Sequence, residues 1–275
     1  MKKLKIKLYY YSAGNNFGDA VNPLILNKLF DLEHEMVSVG AAQLFMIGSI
    51  LQKTVQPATK IFSRITGAIK PPLYIWSSGF IKSDIKGSAV PRKLNVCALR
   101  GNLTKQLLKK ITGQNYDIPL GDGGLLIPRL LPDMPVKKYA VGIIPHFIEE
   151  NMPELQAIQS KIPESTIISP LGNPLLTAEK IAECETVISS SLHGLIAADA
   201  FNIPNRQMVL SNRIKGGYFK YKDYYSVYGK EIAPLTANEL LNERITADTI
   251  RNAYDIPFNQ IQEIQEKLLE AFPFR

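Results

Sequence analysis

The chain contains few of the residues that build disulfides and metal centres. Among its 275 residues there are two cysteines and three histidines. Cys97 and Cys184 stand far apart in apolar surroundings, so the sequence predicts two free thiols in a reducing compartment. His34, His146 and His193 show no ligand-like spacing, which disfavours a zinc-type site. We therefore expect a cytoplasmic protein that holds neither a disulfide nor a metal ion.

Long apolar runs are absent as well. No stretch approaches the roughly 18 consecutive apolar residues that indicate a membrane-spanning helix. Residues 1–7 are basic like the start of a signal peptide, but no apolar segment follows them. Lysines instead alternate with Leu4 and Ile6, which is the period of a strand with one face toward solvent. The sequence thus predicts a first β-strand here and no membrane anchor.

Glycine-rich nucleotide-binding motifs are also missing. The turn over residues 14–19 carries two glycines, but it is neither a GxGxxG fingerprint nor a P-loop, because no Gly-Lys-Ser/Thr follows. An enzyme acting on nucleoside triphosphates is therefore disfavoured. Asn15, Asn16 and Asp19 in this turn, with Gly18 among them, suit a ligand rich in hydroxyls. Asp19 equally fits the N-cap of the helix that follows.

Acidic residues are scarce in the first part of the chain only. Residues 1–110 contain 17 Lys and Arg against 5 Asp and Glu, whereas residues 111–275 contain 15 against 20, within a net charge of +7. No base-reading helix or aromatic stacking platform accompanies the basic part, so nucleic acid is not an expected partner. Residues 53–72 interleave basic and apolar side chains. That pattern fits either a solvated surface segment or a segment resting on an anionic membrane.

The remaining pattern is that of an α/β protein. Hydrophobic residues make up 45% of the chain, which is enough for a buried core. Short apolar runs alternate with segments of helical period, which indicates βαβ units around parallel sheets. The predicted strands are 4–11, 44–48, 73–77, 94–98, 139–144, 165–168, 186–188 and 207–210. The predicted helices are 20–31, 101–111, 152–161, 175–184, 193–201 and an amphipathic 258–272.

A proline-containing segment, Pro132–Pro135, lies between the two series of predicted elements and suggests a linker. We expect two α/β domains that face each other across a cleft. The first covers residues 1–134 and the second covers residues 135–275. The C-terminal helix is expected to pack back on the first domain.

A serine-rich segment over residues 189–194 is the most informative for chemistry. It follows a predicted strand and begins a predicted helix, so its serines suit the cap and its unpaired backbone N–H groups favour an anion. In an open parallel sheet, this edge is the usual ligand crevice. His193 lies there and is suited to donate to a phosphate or to act as a general acid. A helix cap with an incidental histidine explains the same pattern.

Other polar side chains fall at the same kind of junction. Arg100 ends a predicted strand where a helix starts, so its guanidinium is suited to a carboxylate or a phosphate. His146 follows the strand at 139–144 at the crevice edge. Asp122 lies in a tight turn, where a structural role is expected. Residues 215–225, rich in lysine and tyrosine, are interpreted as a flexible loop suited to a sugar beside an anionic group.

Taken in order, these segments resemble the polysaccharide pyruvyl transferase family over roughly residues 9–225. The resemblance is carried by Asn16–Asp19, Gly48–Ile50, Trp76–Gly79, Arg100–Gly101 with Thr104, Gly121–Gly123, Gly142–His146, Ser189–Gly194 and Asp223–Tyr225. It implies a glycosyltransferase-B-like fold of two Rossmann-like domains. It also implies transfer of pyruvate, as a ketal, from phosphoenolpyruvate onto two hydroxyls of a sugar, with no cofactor besides this donor substrate.

The resemblance gives these residues expected roles. His193 is the expected general acid, Arg100 the expected donor ligand and Asp19 the expected base on the acceptor hydroxyl. The family often has an arginine where this chain has Ser191, so a cation from Lys215, Lys220 or Arg213 is expected to replace it. The expected donor-binding residues are Ser189, Ser190, Ser191, Leu192, Gly194, Lys215, Lys220 and His146. The expected acceptor-binding residues are Asn15, Asn16 and Gly18.

The expected acceptor is a galactose-type hexose of a bacterial surface or capsular polysaccharide precursor. If that precursor is linked to a lipid diphosphate at the inner membrane face, the basic first part of the chain helps to bring the protein there. Two other functions fit the sequence: a nucleotide-sugar glycosyltransferase of the same architecture, and a non-catalytic carbohydrate-binding scaffold. Tight nucleotide binding favours the former. Sugar binding without phosphoenolpyruvate binding favours the latter.

Overall fold

A computed structural model describes residues 4–12, 14, 16–57, 59, 67, 69–85, 87–231 and 233–274. Most of the basic stretch at 58–68 lies outside these residues, and so does Asn15. Two parallel five-stranded sheets dominate the described chain. The predicted α/β class with parallel sheets is therefore confirmed.

The first sheet is built from the N-terminal part of the chain. Its strands are β1 (Lys5–Tyr9), β2 (Glu33–Met36), β3 (Leu44–Phe45), β5 (Leu73–Ile75) and β7 (Leu94–Val96), in the order β2-β1-β3-β5-β7. A short antiparallel pair, β4 (Gln56–Pro57) and β6 (Ser88–Ala89), lies beside it. The helices are α1 (Phe17–Phe30) and α2 (Asn102–Thr112), with a 3₁₀ turn at Leu51–Thr54.

Helix α1 shows how the local sequence sets the start of an element. The Asn16 side chain accepts from the N–H of Asp19, so Asn16, not Asp19, is the N-cap. Pro23 inside the helix has no N–H for the carbonyl of Asp19, and the amide of Asn22 donates to that carbonyl instead, at 3.0 Å. Buried Asn22 also exchanges hydrogen bonds with the backbone of Ile47, which fixes α1 against the end of the sheet.

The second sheet follows the predicted elements closely. Its strands are β8 (Tyr139–Ile144), β9 (Ser165–Ile167), β10 (Cys184–Ser189), β11 (Asn205–Val209) and β12 (Leu235–Thr236), in the order β12-β11-β10-β8-β9. The helices are α3 (Pro153–Lys161), α4 (Pro174–Ala182), α5 (Leu192–Ala200), α6 (Phe219–Tyr225), α7 (Ala237–Asn242) and α8 (Ala247–Asn252). The flexible loop expected over 215–225 is wrong in its second part, because Phe219–Tyr225 forms α6 and most of its side chains are buried.

Two further elements join the sheets. A 3₁₀ helix, Gly123–Leu130, is capped by Asp122 and is buried along most of its length. Helix α9 (Phe258–Glu270) is the predicted amphipathic helix, and the carbonyl of its Leu268 accepts from the indole of Trp76 at 2.9 Å. Phe272 stacks on Phe30 of α1. The C-terminal helix thus packs on elements of the first sheet.

One apolar cluster runs through both parts of the molecule. It contains Leu8 of β1, Val187 of β10, Leu195 of α5 and Ile264 of α9. Because burial of apolar surface is the main driving force of folding, this shared core couples the two sheets energetically. The division into domains at residue 134 stays a prediction.

A membrane-spanning helix is not found among the helices of the described residues, since none combines the needed length with the needed apolar character.

Candidate functional site

The start of α5 presents unpaired backbone donors at the end of β10. The N–H groups of Leu192 and His193 donate to no acceptor in the described chain, whereas Gly194 donates to the carbonyl of Ser191 at 3.1 Å. Ser191 is the N-cap by position, but its side chain makes no capping bond. The N–H groups of Leu192 and His193 are therefore open to an anion.

The neighbouring serines act within the fold. The Ser189 hydroxyl lies 2.9 Å from the carbonyl of Ile144 and accepts from the N–H of Ser191, so it shapes the turn. The Ser190 hydroxyl donates to the carboxylate of Glu149 at 2.5 Å and accepts from the N–H of His146 at 2.8 Å. Ser189 and Ser190 are completely buried. Their geometry supports the turn that carries His193.

His193 lies where the two parts of the chain meet. Its side chain is 14% exposed, and its imidazole packs on the backbone of Gly18 in α1. A Cβ at residue 18 would overlap the ring, so this close approach requires glycine. The Nε2 atom of His193 lies 3.9 Å from Oδ1 of Asp122. Neither Nε2 nor the other carboxylate oxygen of Asp122 has a hydrogen-bond partner among the described residues.

The surroundings keep both histidines of this edge neutral. Burial lowers the pKa of His193 to about 3, and the positive charges of Lys220 and Arg100 act in the same direction. Burial and Lys220 likewise lower the pKa of His146 to about 3. The imidazole of His193 is therefore uncharged at neutral pH while no anion is bound.

Lys220 of α6 is a buried lysine whose ammonium makes no direct ion pair with a described residue. It is 8% exposed, and none of the described residues offers it a hydrogen bond or an ion pair. Its nearest recorded contact is the ring of Tyr221, 5.1 Å from the ring centre. Burial lowers its pKa to about 8, with Arg100 in the same direction and with Asp19 and Glu149 opposing. An unpaired buried cation of this kind is suited to bind an anion.

Asp19 faces the same space from the first turn of α1. Its carboxylate accepts from the amide of Asn16 at 2.6 Å. Burial raises its pKa to about 7, and nearby Asp122 acts in the same direction, although Asn16 and Lys220 lower it. The carboxyl group therefore titrates near neutral pH, as a general base requires. The pKa of Asp122 is also raised, to about 6, chiefly by burial.

Arg100 lies between the end of β7 and the start of α2, as predicted. It is completely buried, and its Nε donates to Asp223 of α6 at 2.9 Å. Its two terminal nitrogens donate to the hydroxyl of Ser49 and to the carbonyl of Phe80, each at 2.6 Å. The guanidinium thus anchors α6 and contributes its positive charge from a distance. Its direct contact with a donor stays a prediction.

The sequence did not indicate Glu149 as part of the site, and it predicted a loop where α6 forms. Glu149 is completely buried and accepts from the hydroxyls of Ser190 and Ser211, each at 2.5 Å. The hydroxyl of Tyr221 donates to the carbonyl of Ser190 at 2.6 Å. Local sequence carries no signal for Glu149, because its partners come from distant turns. Lys215 and Arg213 are exposed, which leaves Lys220 as the buried cation.

The described chain is an α/β protein with two parallel sheets, and His193, Asp122, Asp19 and Lys220 lie where the two parts of the chain meet. A family model described as polysaccharide pyruvyl transferase matches residues 1–206. The chain belongs to the polysaccharide pyruvyl transferase family, and the resemblance noted in its sequence is confirmed.

Proteins similar to the chain include two curated relatives and a solved structure. An uncharacterized protein, L143, of Acanthamoeba polyphaga mimivirus is 24% identical over 280 residues, covering 97% of this chain and 92% of the relative. The succinoglycan biosynthesis protein ExoV of Rhizobium meliloti (strain 1021) is 24% identical over 235 residues, covering 83% and 67%. The spinosyn rhamnosyltransferase SpnG aligns with a TM-score of 0.43 at 11% identity, over 97% and 96% of the two chains.

Proposed function

We propose that the protein transfers pyruvate, as a cyclic ketal, from phosphoenolpyruvate onto two hydroxyls of a hexose in a polysaccharide precursor. Membership of the family supports a transferase acting on polysaccharide. The observation that carries the donor assignment is Lys220, a buried ammonium that makes no direct ion pair with a described residue. A small ligand with two anionic groups supplies what this site lacks.

Donor binding uses the two anion-seeking features of the site. Phosphoenolpyruvate carries a carboxylate and a phosphate. The ammonium of Lys220 pairs with one group, and the free N–H groups at the start of α5 bind the other. Lys220 then takes the place of the arginine that this chain lacks at Ser191. Arg100 adds positive charge from its buried position.

The acid step follows from the same charges. Burial, together with the positive charges of Lys220 and Arg100, lowers the pKa of His193, and the negative charge of the donor counteracts this lowering. The pKa of His193 therefore rises when the donor binds, and the imidazole takes up a proton. That proton passes to the methylene carbon of the donor, whose double bond breaks to leave a methyl group and an oxocarbenium-like carbon.

The acceptor completes the reaction in two additions. A sugar hydroxyl attacks the cationic carbon and its proton passes to Asp19, which titrates near neutral pH. A second hydroxyl of the same sugar then displaces phosphate and closes the ketal, and its proton leaves with the phosphate. The scheme uses no metal ion. Asn16, bonded to Asp19, and the Gly18 backbone form the adjoining acceptor wall.

The architecture and location belong to the same proposal. Each sheet with its helices forms a Rossmann-like domain of a glycosyltransferase-B-like pair, with the acceptor on the side of residues 1–134 and the donor on the side of residues 135–275. The acceptor is a galactose-type unit of a bacterial surface or capsular polysaccharide precursor. The precursor is linked to a lipid diphosphate, which places the reaction on the cytoplasmic face of the membrane.

The test is transfer from phosphoenolpyruvate to methyl β-galactoside and to galactose oligosaccharides, followed by phosphate release and by the methyl signal of the ketal in NMR. Wild-type protein is expected to form the ketal, and His193→Ala to be slower by about 10²–10⁴-fold. An undiminished His193→Ala variant refutes the role of His193. Nucleotide binding without any ketal formation supports a nucleotide-sugar transferase instead, and sugar binding without phosphoenolpyruvate binding supports a scaffold.

A further inference from the structure

An open groove of about 600 Å³ lies on the outer side of α1, next to the site. The end of β1 forms one wall, and the start of α4 forms the other. The residues that line it are Tyr10, Tyr11, Ser12, Ala20, Pro23, Leu24, Gly172, Asn173 and Pro174. Ala20 directly follows Asp19 in α1, so the groove lies within one helical turn of the proposed base.

The groove differs from the site in its charge. No residue in the described lining is charged, although the whole protein carries a net charge of +7. An anionic ligand therefore gains nothing here. The groove instead offers tyrosine rings beside hydroxyl and amide groups, a combination suited to a neutral, hydroxyl-rich ligand.

The groove offers an aromatic ring for the C–H groups of a sugar and an amide for its hydroxyls. Tyr11 is 42% exposed, so its ring is available for packing against sugar C–H groups, which an aromatic face attracts. The side-chain oxygen of Asn173 caps α4 by accepting from the N–H of Leu175 at 2.9 Å. Its NH₂ group is left to donate to a ligand hydroxyl.

The groove and the site are held in a fixed relation. Asn16 pairs with Leu171 in an isolated β-bridge, and the N–H of Phe17 donates to the carbonyl of Pro170 at 2.7 Å. The first turn of α1 is thereby attached to the segment that leads into α4. Asp19 contributes to the site from this turn, while Ala20, Pro23 and Leu24 face the groove.

We propose that this groove binds a neutral sugar unit of the acceptor chain, adjacent to the unit that receives pyruvate. The inference rests on the proposed function and sharpens it. The acceptor is an oligosaccharide, and recognition of its neighbouring unit is separate from the chemistry at Asp19 and His193.

The experiment compares a short acceptor, methyl β-galactoside, with a longer neutral one, β1,4-galactotetraose. Tyr11→Ala is expected to raise KM for the tetrasaccharide about tenfold, which corresponds to about 1.4 kcal/mol of lost stacking. The KM for methyl β-galactoside, the KM for phosphoenolpyruvate and kcat stay unchanged. Tyr11→Phe keeps the ring and is expected to behave as wild type, which is the matched control.

Equal KM changes for both acceptors, or no change for either, overturn the groove proposal. If wild-type protein transfers no pyruvate, tetrasaccharide binding is measured directly by saturation-transfer NMR. Binding by wild type that Tyr11→Ala loses then supports the groove and refutes only the proposed reaction. Absence of tetrasaccharide binding by wild type refutes the groove as well.

Discussion

At the scale of single residues, the site depends on charges that the protein leaves unbalanced. A buried ammonium costs free energy unless a counter-ion accompanies it. Lys220 makes no direct ion pair with a described residue, and after burial it is the next cause of the lowered pKa of His193 and of His146. We therefore expect an anion bound beside Lys220 to stabilise the site.

Lys220→Met is expected to raise KM for phosphoenolpyruvate by about 10- to 100-fold, because one charge-assisted contact is lost. It is also expected to raise the pKa of His193, since a nearby positive charge is removed; imidazole NMR signals report this shift without any activity. Lys222→Met on the exposed face of the same helix is the control and leaves both quantities unchanged. An unchanged His193 titration in Lys220→Met contradicts the assignment.

The pH profile of kcat/KM is expected to have a flat maximum between about 3 and about 7. The proposed acid, His193, must gain a proton and the proposed base, Asp19, must lose one, so the rate is constant while the two groups together hold one proton. The rate falls above about 7, where that proton is lost, and falls more steeply above about 8, where Lys220 loses the charge that holds the donor. In Asp19→Asn the fall is expected to begin near 3 instead of near 7. A fall that still begins near 7 in Asp19→Asn excludes Asp19 as the base.

At the scale of secondary structure elements, α6 connects the two sheets. Asp223 accepts from Arg100 and, at 2.7 Å each, from the backbone N–H and the hydroxyl of Thr104 in α2. On the other side, Tyr224 donates to buried Asp199 of α5 at 2.7 Å. These bonds place Lys220 between the two parts of the chain. Its position therefore depends on residues from both.

Asp223→Asn is expected to destabilise the protein by about 3–5 kcal/mol, because it leaves Arg100 buried without its counter-ion. Urea unfolding measures this loss, and KM for phosphoenolpyruvate is expected to rise as Lys220 loses its fixed position. Asp84→Asn is the control, since the Asp84–Lys82 pair is exposed at 3.8 Å. Stability equal to that of wild type contradicts the anchoring role of Asp223.

The elements of the second sheet could be predicted because their sequence pattern is local. Tyr139–Ile144 is an apolar run, and it forms β8 over the same residues. The strand β2, with the sequence Glu-His-Glu-Met, has no such pattern and forms because it pairs with β1 at the sheet edge. Helix α6 is a similar case. Its lysines and tyrosines are typical of a surface loop. They form a helix here because Asp223 accepts from Arg100, which lies more than 100 positions away in the chain.

The site could be predicted only in part for the same reason. His193 and Asp19 follow strands, and their placement at a sheet edge is a local property. Their meeting through the Gly18 backbone results from the docking of the two sheets, which no local pattern encodes. The three side-chain hydrogen bonds of Arg100 and the buried carboxylate of Glu149 are likewise products of tertiary packing.

At the scale of the whole molecule, three basic residues from the first part of the chain lie around one cavity. Lys53, Lys70 and Arg92 line a cavity of about 130 Å³ at the opposite edge of the first sheet from the site. One terminal nitrogen of Arg92 is buried there without a hydrogen-bond partner in the described chain. We propose this face as the one that contacts an anionic membrane, where each basic residue contributes about 1 kcal/mol.

Vesicles that contain phosphatidylglycerol are expected to carry the protein upward in a flotation gradient, and neutral phosphatidylcholine vesicles are not. Binding is expected to disappear at about 1 M salt, where the screening length falls to about 3 Å. The double variant Lys53→Glu, Lys70→Glu is expected to bind less and to keep its activity on water-soluble acceptors. If the protein floats equally with anionic and with neutral vesicles, the proposed membrane contact of this face is wrong.

The contact between Gly18 and His193 also has a consequence for the newly made chain. A ribosome delivers residue 18 long before residue 193, and Lys220 arrives later still. The proposed acid, base and donor-binding cation thus come together only after about four-fifths of the polypeptide has been synthesised. Nascent or prematurely terminated chains then lack the complete proposed reaction centre, so the proposed pyruvate transfer requires molecules whose synthesis has passed α6.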